Sequence, residues 1–267
     1  AGGGEPSRVN KIDFFAMATR ASAADFGDLT QGRSMDGGGL SSETRACFAG
    51  GTTPSNVTTI DFITIASTGN AANFGDAALA VTNVAATSNS LRAVFGGGIN
   101  GPSAVHPRIS YVTITSESDA LDFGNLVYAR GELNSCSNST RGIFSGGAGP
   151  SISTNTSEMD FITIASLGDG QLFGDAVVTP STTGCAACAS PTRGIFAGNN
   201  QVPLANGRVI NYITFSSTSD GVDFGDLATA KEQFNGCSNS IRGVFGGGET
   251  PTLTNVMEYI TIATTGN

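Results

Sequence analysis

The triplet Asp-Phe-Gly is the first pattern in this chain that suggests chemistry, and it begins at Asp25, Asp122 and Asp223. In protein kinases this triplet binds Mg²⁺, together with a nucleotide-anchoring lysine and a His-Arg-Asp catalytic loop. The chain has no His-Arg-Asp sequence, and its two lysines are Lys11 and Lys231. Because the triplet also returns at a regular interval, we interpret it as structural.

The cysteines and the single histidine form a second group of candidates. Cys185 and Cys188 have the CxxC spacing of redox or zinc sites, but the chain has no second CxxC. Cys188 lies five residues before an arginine, as Cys136 and Cys237 do, so we expect small buried thiols on equivalent strands. No Ser-His-Asp or Cys-His arrangement surrounds His106. The sequence therefore predicts neither a metal site nor a cofactor.

Acidic and basic residues also occupy repeated positions. One position holds a carboxylate in four copies and Asn125 in another; the carboxylates are Asp28, Asp76, Asp175 and Asp226. A second position holds five of the eleven arginines, namely Arg45, Arg92, Arg141, Arg193 and Arg242. Guanidinium and carboxylate groups pair bidentately, so we predict that these ion pairs hold neighbouring units in register. Calcium binding at the carboxylates is the alternative.

The elements that carry these residues belong to a repeat of about fifty residues. A Phe-Gly step recurs at Phe26, Phe74, Phe123, Phe173 and Phe224, with spacings of 48, 49, 50 and 51 residues. An alternating apolar strand precedes these steps; its copies begin at Ile60, Ile109, Met159, Ile210 and Met257, with a weaker one at Ile12. Four short strands in each unit predict an all-β protein, a β-propeller with four-stranded blades.

The repeats divide a single domain, residues 1–267, into approximate units 1–48, 49–95, 96–144, 145–196, 197–245 and a partial unit 246–267. We favour five blades closed in a three-plus-one manner. Residues 229–263 then supply three strands of the last blade, and Ala24–Leu29 supplies the fourth. The weak copy at 11–18 would pack outside or compete for the third place. Six blades are the alternative, with about 25 residues missing at the seam.

Composition excludes several classes of function. Charged residues make up only 13% of the chain and the net charge is −9, which argues against nucleic-acid binding. No apolar run reaches the roughly 20 residues that a membrane helix needs. Thirty-seven glycines, with many Ser, Thr and Asn residues, suit short strands joined by tight turns.

The motifs Thr140-Arg141-Gly142-Ile143-Phe144 before Gly146-Gly147, and Tyr212-Ile213-Thr214 ahead of Asp223-Phe224-Gly225, resemble Kelch repeats. Kelch repeats usually carry tryptophan at the outer aromatic position, whereas this chain has no tryptophan and uses phenylalanine. The amino-acid sequence of the repeat is similar to Kelch-like arrays in structural proteins of marine bacteriophages. That resemblance implies a non-enzymatic tail, fibre or virion-surface component located on a virion or extracellular surface.

Binding is expected in the loops that differ most between units: 50–57, 98–108, 147–157, 198–208 and 248–255. The candidate binding residues are Asn100, His106, Arg108, Asn155, Gln201, Asn206 and Arg208. The expected partners are another virion or surface protein, or a host-surface glycan, and a homo-oligomer is compatible with the same surface. A bacterial surface adhesin is one alternative. A carbohydrate-active enzyme is another, but it needs paired carboxylates, and the non-repeated acids Asp36, Glu132, Glu158 and Glu232 are scattered along the chain.

Overall fold

The computed structural model describes residues 1–4, 7–19, 22–35, 39–101, 104–149, 156–177, 185–198, 207–249 and 252–266. Within these ranges the chain forms short antiparallel strands. They are β1 (Lys11–Phe14), β2 (Ala24–Asp28), β3 (Gly39–Ser41), β4 (Arg45–Ala49), β5 (Thr59–Thr64), β6 (Ala72–Asp76), β7 (Ala85–Ser88), β8 (Arg92–Gly96), β9 (Ile99–Asn100), β10 (Ala104–Val105), β11 (Arg108–Thr113), β12 (Leu121–Asn125), β13 (Asn134–Ser137), β14 (Arg141–Ser145), β15 (Glu158–Thr163), β16 (Gln171–Asp175), β17 (Ala186–Ala189), β18 (Arg193–Ala197), β19 (Val209–Thr214), β20 (Val222–Asp226), β21 (Asn235–Ser238), β22 (Arg242–Gly246) and β23 (Met257–Thr261). No helix in the described part of the chain is long and apolar enough to cross a bilayer.

The strands form a five-bladed β-propeller, which confirms the predicted fold class. Blades one to four are the sheets β3–β6, β7–β8–β11–β12, β13–β16 and β17–β20, and blade five is the three-stranded sheet β21–β23. The first strand of each blade is innermost, and β3, β7, β13, β17 and β21 contact one another in succession. The hairpin β9–β10 extends the loop of blade two.

The seam of the ring differs from the predicted three-plus-one closure. Strand β2 pairs with β1 and not with β23. Lys11 lies opposite Asp28, just as Thr59 lies opposite Asp76 in blade one, so β1 and β2 repeat the third and fourth strands of a blade. The edge-to-face contact of Phe14 with Phe26, at 5.8 Å between ring centroids, also matches the aromatic pair of blade one. The segment 11–18 therefore takes the third-strand place beside β2.

The repeated Phe-Gly step is explained by contacts between blades. The phenylalanine is buried between blades, and Phe123 is only 3% exposed. The glycine after it, Gly124, has a φ of 151°, and a β-carbon there would lie 2.4 Å from the carbonyl oxygen of Gly168 in the next blade. Only glycine allows both this backbone conformation and this close approach.

The repeated arginines link each blade to the next, but not through the predicted carboxylates. In blade three, Arg141 lies over the ring of Phe161 at 4.8 Å and donates a hydrogen bond to the Phe215 carbonyl of blade four at 2.6 Å. Arg45, Arg92, Arg193 and Arg242 repeat this arrangement. The predicted pairing with the repeated aspartates is therefore wrong, because the arginine stacks on its own blade and reaches a backbone oxygen of the next.

The repeated aspartates lie at the end of the outermost strand. The side chain of Asp76 accepts a hydrogen bond from Thr58 at 2.7 Å, and its backbone N–H donates to Asp119 of the next blade at 3.0 Å. Asp175 makes the corresponding contacts with Ser157 and Asp220. These aspartates therefore join the outermost strand of one blade to a turn of the next.

Candidate functional site

Buried charges lie where the connection from one blade enters the next. Arg130, which precedes the innermost strand of blade three, forms an ion pair with Asp160 on β15 at 2.9 Å. Both side chains are almost completely buried. The guanidinium also donates to the carbonyls of Gly146 and Glu158 at 2.8 Å each, and Asp160 accepts from the Val127 N–H. Burial raises the pKa of the Asp160 carboxyl, and the charge of Arg130 opposes that rise.

Two further blades repeat this pair, whereas two others replace it with neutral residues. Arg33 pairs with Asp61 at 3.1 Å in blade one, and Lys231 pairs with Glu258 at 3.0 Å in blade five. In blade two the same positions hold Val81 and Ser110. In blade four Asn211 takes the place of the acid, and the position of the base, residue 180, lies outside the described residues. These pairs were not predicted from the sequence, although both positions change together between the repeats.

The neutral pair of blade two leaves a small internal space. A cavity of about 20 Å³ is lined by Val81, Ser110, Leu79, Val84 and Arg108, among others. This volume is enough for about one water molecule. In blades one, three and five a charged pair stands at these positions and joins the third strand of the blade to the connection that enters the blade.

One face of the propeller carries the long connections. The loop between the second and third strands meets the connection that enters the same blade, through bridges such as Thr82 to Ile99 and Gly131 to Ala148. We call this side the loop face. The opposite side, the turn face, has short turns capped by side chains; Asn138, for example, accepts hydrogen bonds from the N–H groups of Thr140 and Arg141.

The structure places four of the predicted binding residues on the loop face. Asn100 and His106 lie in the second-to-third-strand loop of blade two, and Arg108 and Arg208 lie beside the third strands of blades two and four. Both arginines already have partners: Arg108 forms an exposed ion pair with Asp122 at 3.4 Å, and Arg208 donates to the Leu227 carbonyl. The other three candidates, Asn155, Gln201 and Asn206, lie outside the described residues.

His106 is partly enclosed by the loop of blade two. Its backbone N–H donates to the Gly98 carbonyl at 3.1 Å. Its Nε2 atom is buried and has no hydrogen-bond partner among the described residues. The side chain thus helps to close the loop of blade two and does not project freely from it.

A second polar group on the loop face was not predicted from the sequence. Asn83, Glu132 and Gln233 each lie two residues before an innermost strand, and their φ angles are 54°, 59° and 54°. These are the described non-glycine residues with positive φ, a conformation that is unfavourable for Glu and Gln in particular. Because the innermost strands form the centre of the propeller, these three residues lie at its loop-face end. We call them the mouth residues.

Contacts between blades fix the mouth residues in place. The Glu132 N–H donates to the Asn83 carbonyl at 3.1 Å, and the Asn83 side chain donates back to Oε1 of Glu132 at 3.2 Å. Beside Gln233, the backbones of Glu232 and Glu249 exchange two hydrogen bonds. Burial raises the pKa of the Glu232 carboxyl, and the negative charge of Glu249 raises it further. The mouth is therefore polar and acidic.

The cysteines do not converge on a reactive site. Cys47, Cys136 and Cys188 are buried, and burial raises the pKa of Cys188 to about 12. The Cys185 thiol donates to the Gly198 carbonyl at 3.2 Å. Across the described ranges, no three His, Cys, Asp or Glu side chains form a group able to hold a metal ion.

Comparison of the chain with protein-family models finds no family that matches it, and comparison with curated proteins finds no significant match.

Proposed function

We propose that this chain is a non-enzymatic binding module whose loop face, centred on the mouth residues, binds a surface glycan. The observation that carries the proposal is the mouth itself. Asn83 and Glu132 hold an unfavourable backbone conformation and are linked across a blade junction. A residue keeps an unfavourable backbone conformation only where contacts with the surrounding structure hold it in place, and such residues are concentrated at binding sites.

The chemistry of the mouth suits sugar hydroxyls. An Asn or Gln amide offers both donors and acceptors, and a carboxylate offers acceptors, so the three mouth residues can bind hydroxyl groups as donors or acceptors. The loops around them, rich in Asn, Ser, Thr and Gly, add polar contacts on a rigid frame. An acidic chain with a net charge of −9 favours a neutral or cationic glycan over a polyanionic one.

The resemblance of the repeats to bacteriophage structural proteins supports a location on a virion surface, tail or fibre. In that setting the glycan belongs to a host surface and the module serves in attachment. A neighbouring protein of the same particle is the other partner that the sequence suggests. A bacterial surface adhesin would use the same face for the same chemistry.

A glycan array probed with the folded chain tests this proposal. We expect binding to a defined group of glycans, which is lost in Glu132→Ala and retained in Glu43→Ala. Glu43 is an exposed glutamate on the turn face and provides a matched control. If the folded chain binds no glycan, or if both variants lose binding equally, the mouth is not a glycan site.

The carboxylates Glu232 and Glu249 favour a second candidate, a glycoside hydrolase. Residues bridged in this way have β-carbons about 5 Å apart, and a raised pKa suits one of the two for work as a general acid. Hydrolysis of an array-positive glycan by the wild-type chain, abolished in Glu232→Gln, would establish this activity. Unchanged glycan after prolonged incubation supports the binding module.

A further inference from the structure

The cavity at the junction of blades one and two lies where blade three has its buried ion pair. In blade three, Asp160 accepts a hydrogen bond from the Val127 N–H, and Arg130 donates to the carbonyls of Gly146 and Glu158. Counted along the repeat, the corresponding residues of blade two are Ser110, Ala78, Val81, Gly97 and Arg108. All five of them line the cavity of about 20 Å³. The cavity therefore takes the place of a polar network and is not a simple packing defect.

A backbone N–H group that donates to the acid in every charged blade lacks its acceptor in blade two. These donor–acceptor pairs, at 2.7 to 3.2 Å, are Thr30–Asp61, Val127–Asp160 and Ala228–Glu258. In blade two the acid is replaced by Ser110, whose hydroxyl oxygen lies one bond closer to the backbone than a carboxylate oxygen does. Within the described residues, the Ala78 N–H has no hydrogen-bond acceptor. The shorter side chain thus leaves a gap between the hydroxyl and this N–H group.

The Gly97 carbonyl is a second group that lacks the partner found in blade three. The corresponding Gly146 carbonyl accepts from Arg130 at 2.8 Å, whereas the apolar side chain of Val81 has no donor. No donor in the described part of the chain reaches the Gly97 carbonyl. Gly97 is buried, and a buried backbone group without a hydrogen bond costs free energy. Both unpaired groups belong to residues that line the same cavity.

We infer that this cavity binds one water molecule, which joins the Ser110 hydroxyl to the Ala78 N–H and the Gly97 carbonyl. A volume of about 20 Å³ holds a single water, and a buried water needs two to four polar partners. Water accepts from the N–H and donates to the carbonyl at the same time. A metal or ammonium ion cannot accept a hydrogen bond, so this set of groups favours water. Ala78 is exposed, which gives solvent a way in.

The bound water gives blade two a neutral substitute for the ion pair of the charged blades. It connects the third strand, through Ser110, with the connection that enters the blade, through Ala78, as Asp160 does with Val127 in blade three. It also reaches the end of the second strand through Gly97, as Arg130 reaches Gly146. The junction therefore keeps its polar links without a buried charge.

A high-resolution crystal structure of the whole chain tests the inference. We expect a solvent peak in the cavity at hydrogen-bond distance, about 2.6–3.2 Å, from Ser110 Oγ, Ala78 N and Gly97 O. A cavity without density would overturn the inference. A peak with six or more oxygen neighbours at about 2.4 Å would also overturn it, because that coordination identifies a metal ion.

Two substitutions of Ser110 test the same site in solution. Blade four has Asn211 at this position, and its Nδ2 donates to the Phe196 carbonyl at 3.3 Å. Ser110→Asn should displace the water and take over its hydrogen bonds, so the melting temperature should stay within about 2 °C of wild type and the solvent peak should vanish. Ser110→Ala removes one partner of the water and should lower the melting temperature by about 3 °C or more.

Ser116→Ala, at an exposed serine of the same blade, is the matched control and should melt as the wild type does. A melting temperature of Ser110→Ala equal to that of Ser116→Ala, or a solvent peak that persists unchanged in Ser110→Asn, would show that no water links these groups.

Discussion

Replacing Arg130 with methionine should destabilise the propeller by about 3–5 kcal/mol, a large part of the 5–15 kcal/mol that holds a typical domain folded. The variant leaves the buried Asp160 carboxylate with the Val127 N–H as its described partner. It also removes the guanidinium donors of the Gly146 and Glu158 carbonyls. The penalty of an unpaired buried charge dominates the change.

Blade two supplies the design of the compensating variant. Arg130→Val combined with Asp160→Ser recreates the neutral pair Val81–Ser110 in blade three. The Glu158 carbonyl still accepts from the Gly146 N–H at 3.0 Å, so the double variant should cost only about 1–2 kcal/mol. It should therefore be more stable than Arg130→Met, although it changes two buried residues.

Urea unfolding at pH 7, monitored by far-ultraviolet circular dichroism, measures the free energy of unfolding of both variants. The exposed pair Arg108–Asp122 provides the control, and Arg108→Met should cost less than about 1 kcal/mol. Without Arg130, the pKa of Asp160 lies further above its unfolded value, so the loss should be largest at pH 7 and smaller near pH 4. If Arg130→Met lies within about 1 kcal/mol of wild type, or if the double variant is as unstable as Arg130→Met, the unpaired Asp160 carboxylate is not the main cost.

Three further predictions concern the repeated positions. Arg141→Met should cost about 2 kcal/mol in thermal unfolding, because it removes a stacked cation and a hydrogen bond to the next blade; an unchanged melting temperature would contradict this role. Gly124→Ala should cost more than Gly168→Ala, since both have φ near 150° but only the first β-carbon meets a backbone oxygen of the next blade; equal losses in urea unfolding would assign the cost to strain alone. Burial raises the pKa of Cys47 to about 11, so this thiol alone should lower the unfolding free energy by about 1.4 kcal/mol per pH unit between pH 9 and 11, in addition to the contribution of other buried thiols such as Cys188. The slope should be less steep by that amount in Cys47→Ala, and an identical slope in the variant would exclude this thiol as a source.

Much of the fold could be predicted from the sequence because the same pattern of strands occurs in each repeat. The Phe-Gly step and the aromatic strand recur with a nearly constant spacing, so each blade confirms the others. The step at Phe123 also has a local physical cause, since Gly124 must meet the turn of the next blade. Because this contact requires glycine in each repeat, the Phe-Gly motif can be recognised from the sequence alone.

The seam could not be predicted, because its outcome depends on a competition between strands. Both β1 and β23 have the third-strand pattern, and either could pair with β2. The contact between Phe14 and Phe26, together with a bulge between Ile12 and Asp13, selects β1. The sequence contains both candidate partners but does not rank them.

The candidate site was predicted only in part, and the reasons differ between its residues. The loop positions of Asn100 and Arg108 followed from their variation between repeats. The mouth residue Glu132 did not, because positive φ at a non-glycine residue has no sequence signature. The buried pair of Arg130 with Asp160 spans thirty residues and is visible only when the repeats are compared position by position.

Isothermal titration of the glycan that binds most strongly on the array tests whether the mouth residues bind a surface glycan without turnover. We expect a single site on the wild-type chain, affinity lowered at least about tenfold in Glu132→Ala, unchanged affinity in Glu43→Ala, and recovery of intact glycan. Equal affinity for all three proteins would place binding away from the mouth, and recovery of cleaved glycan would replace the binding module with an enzyme.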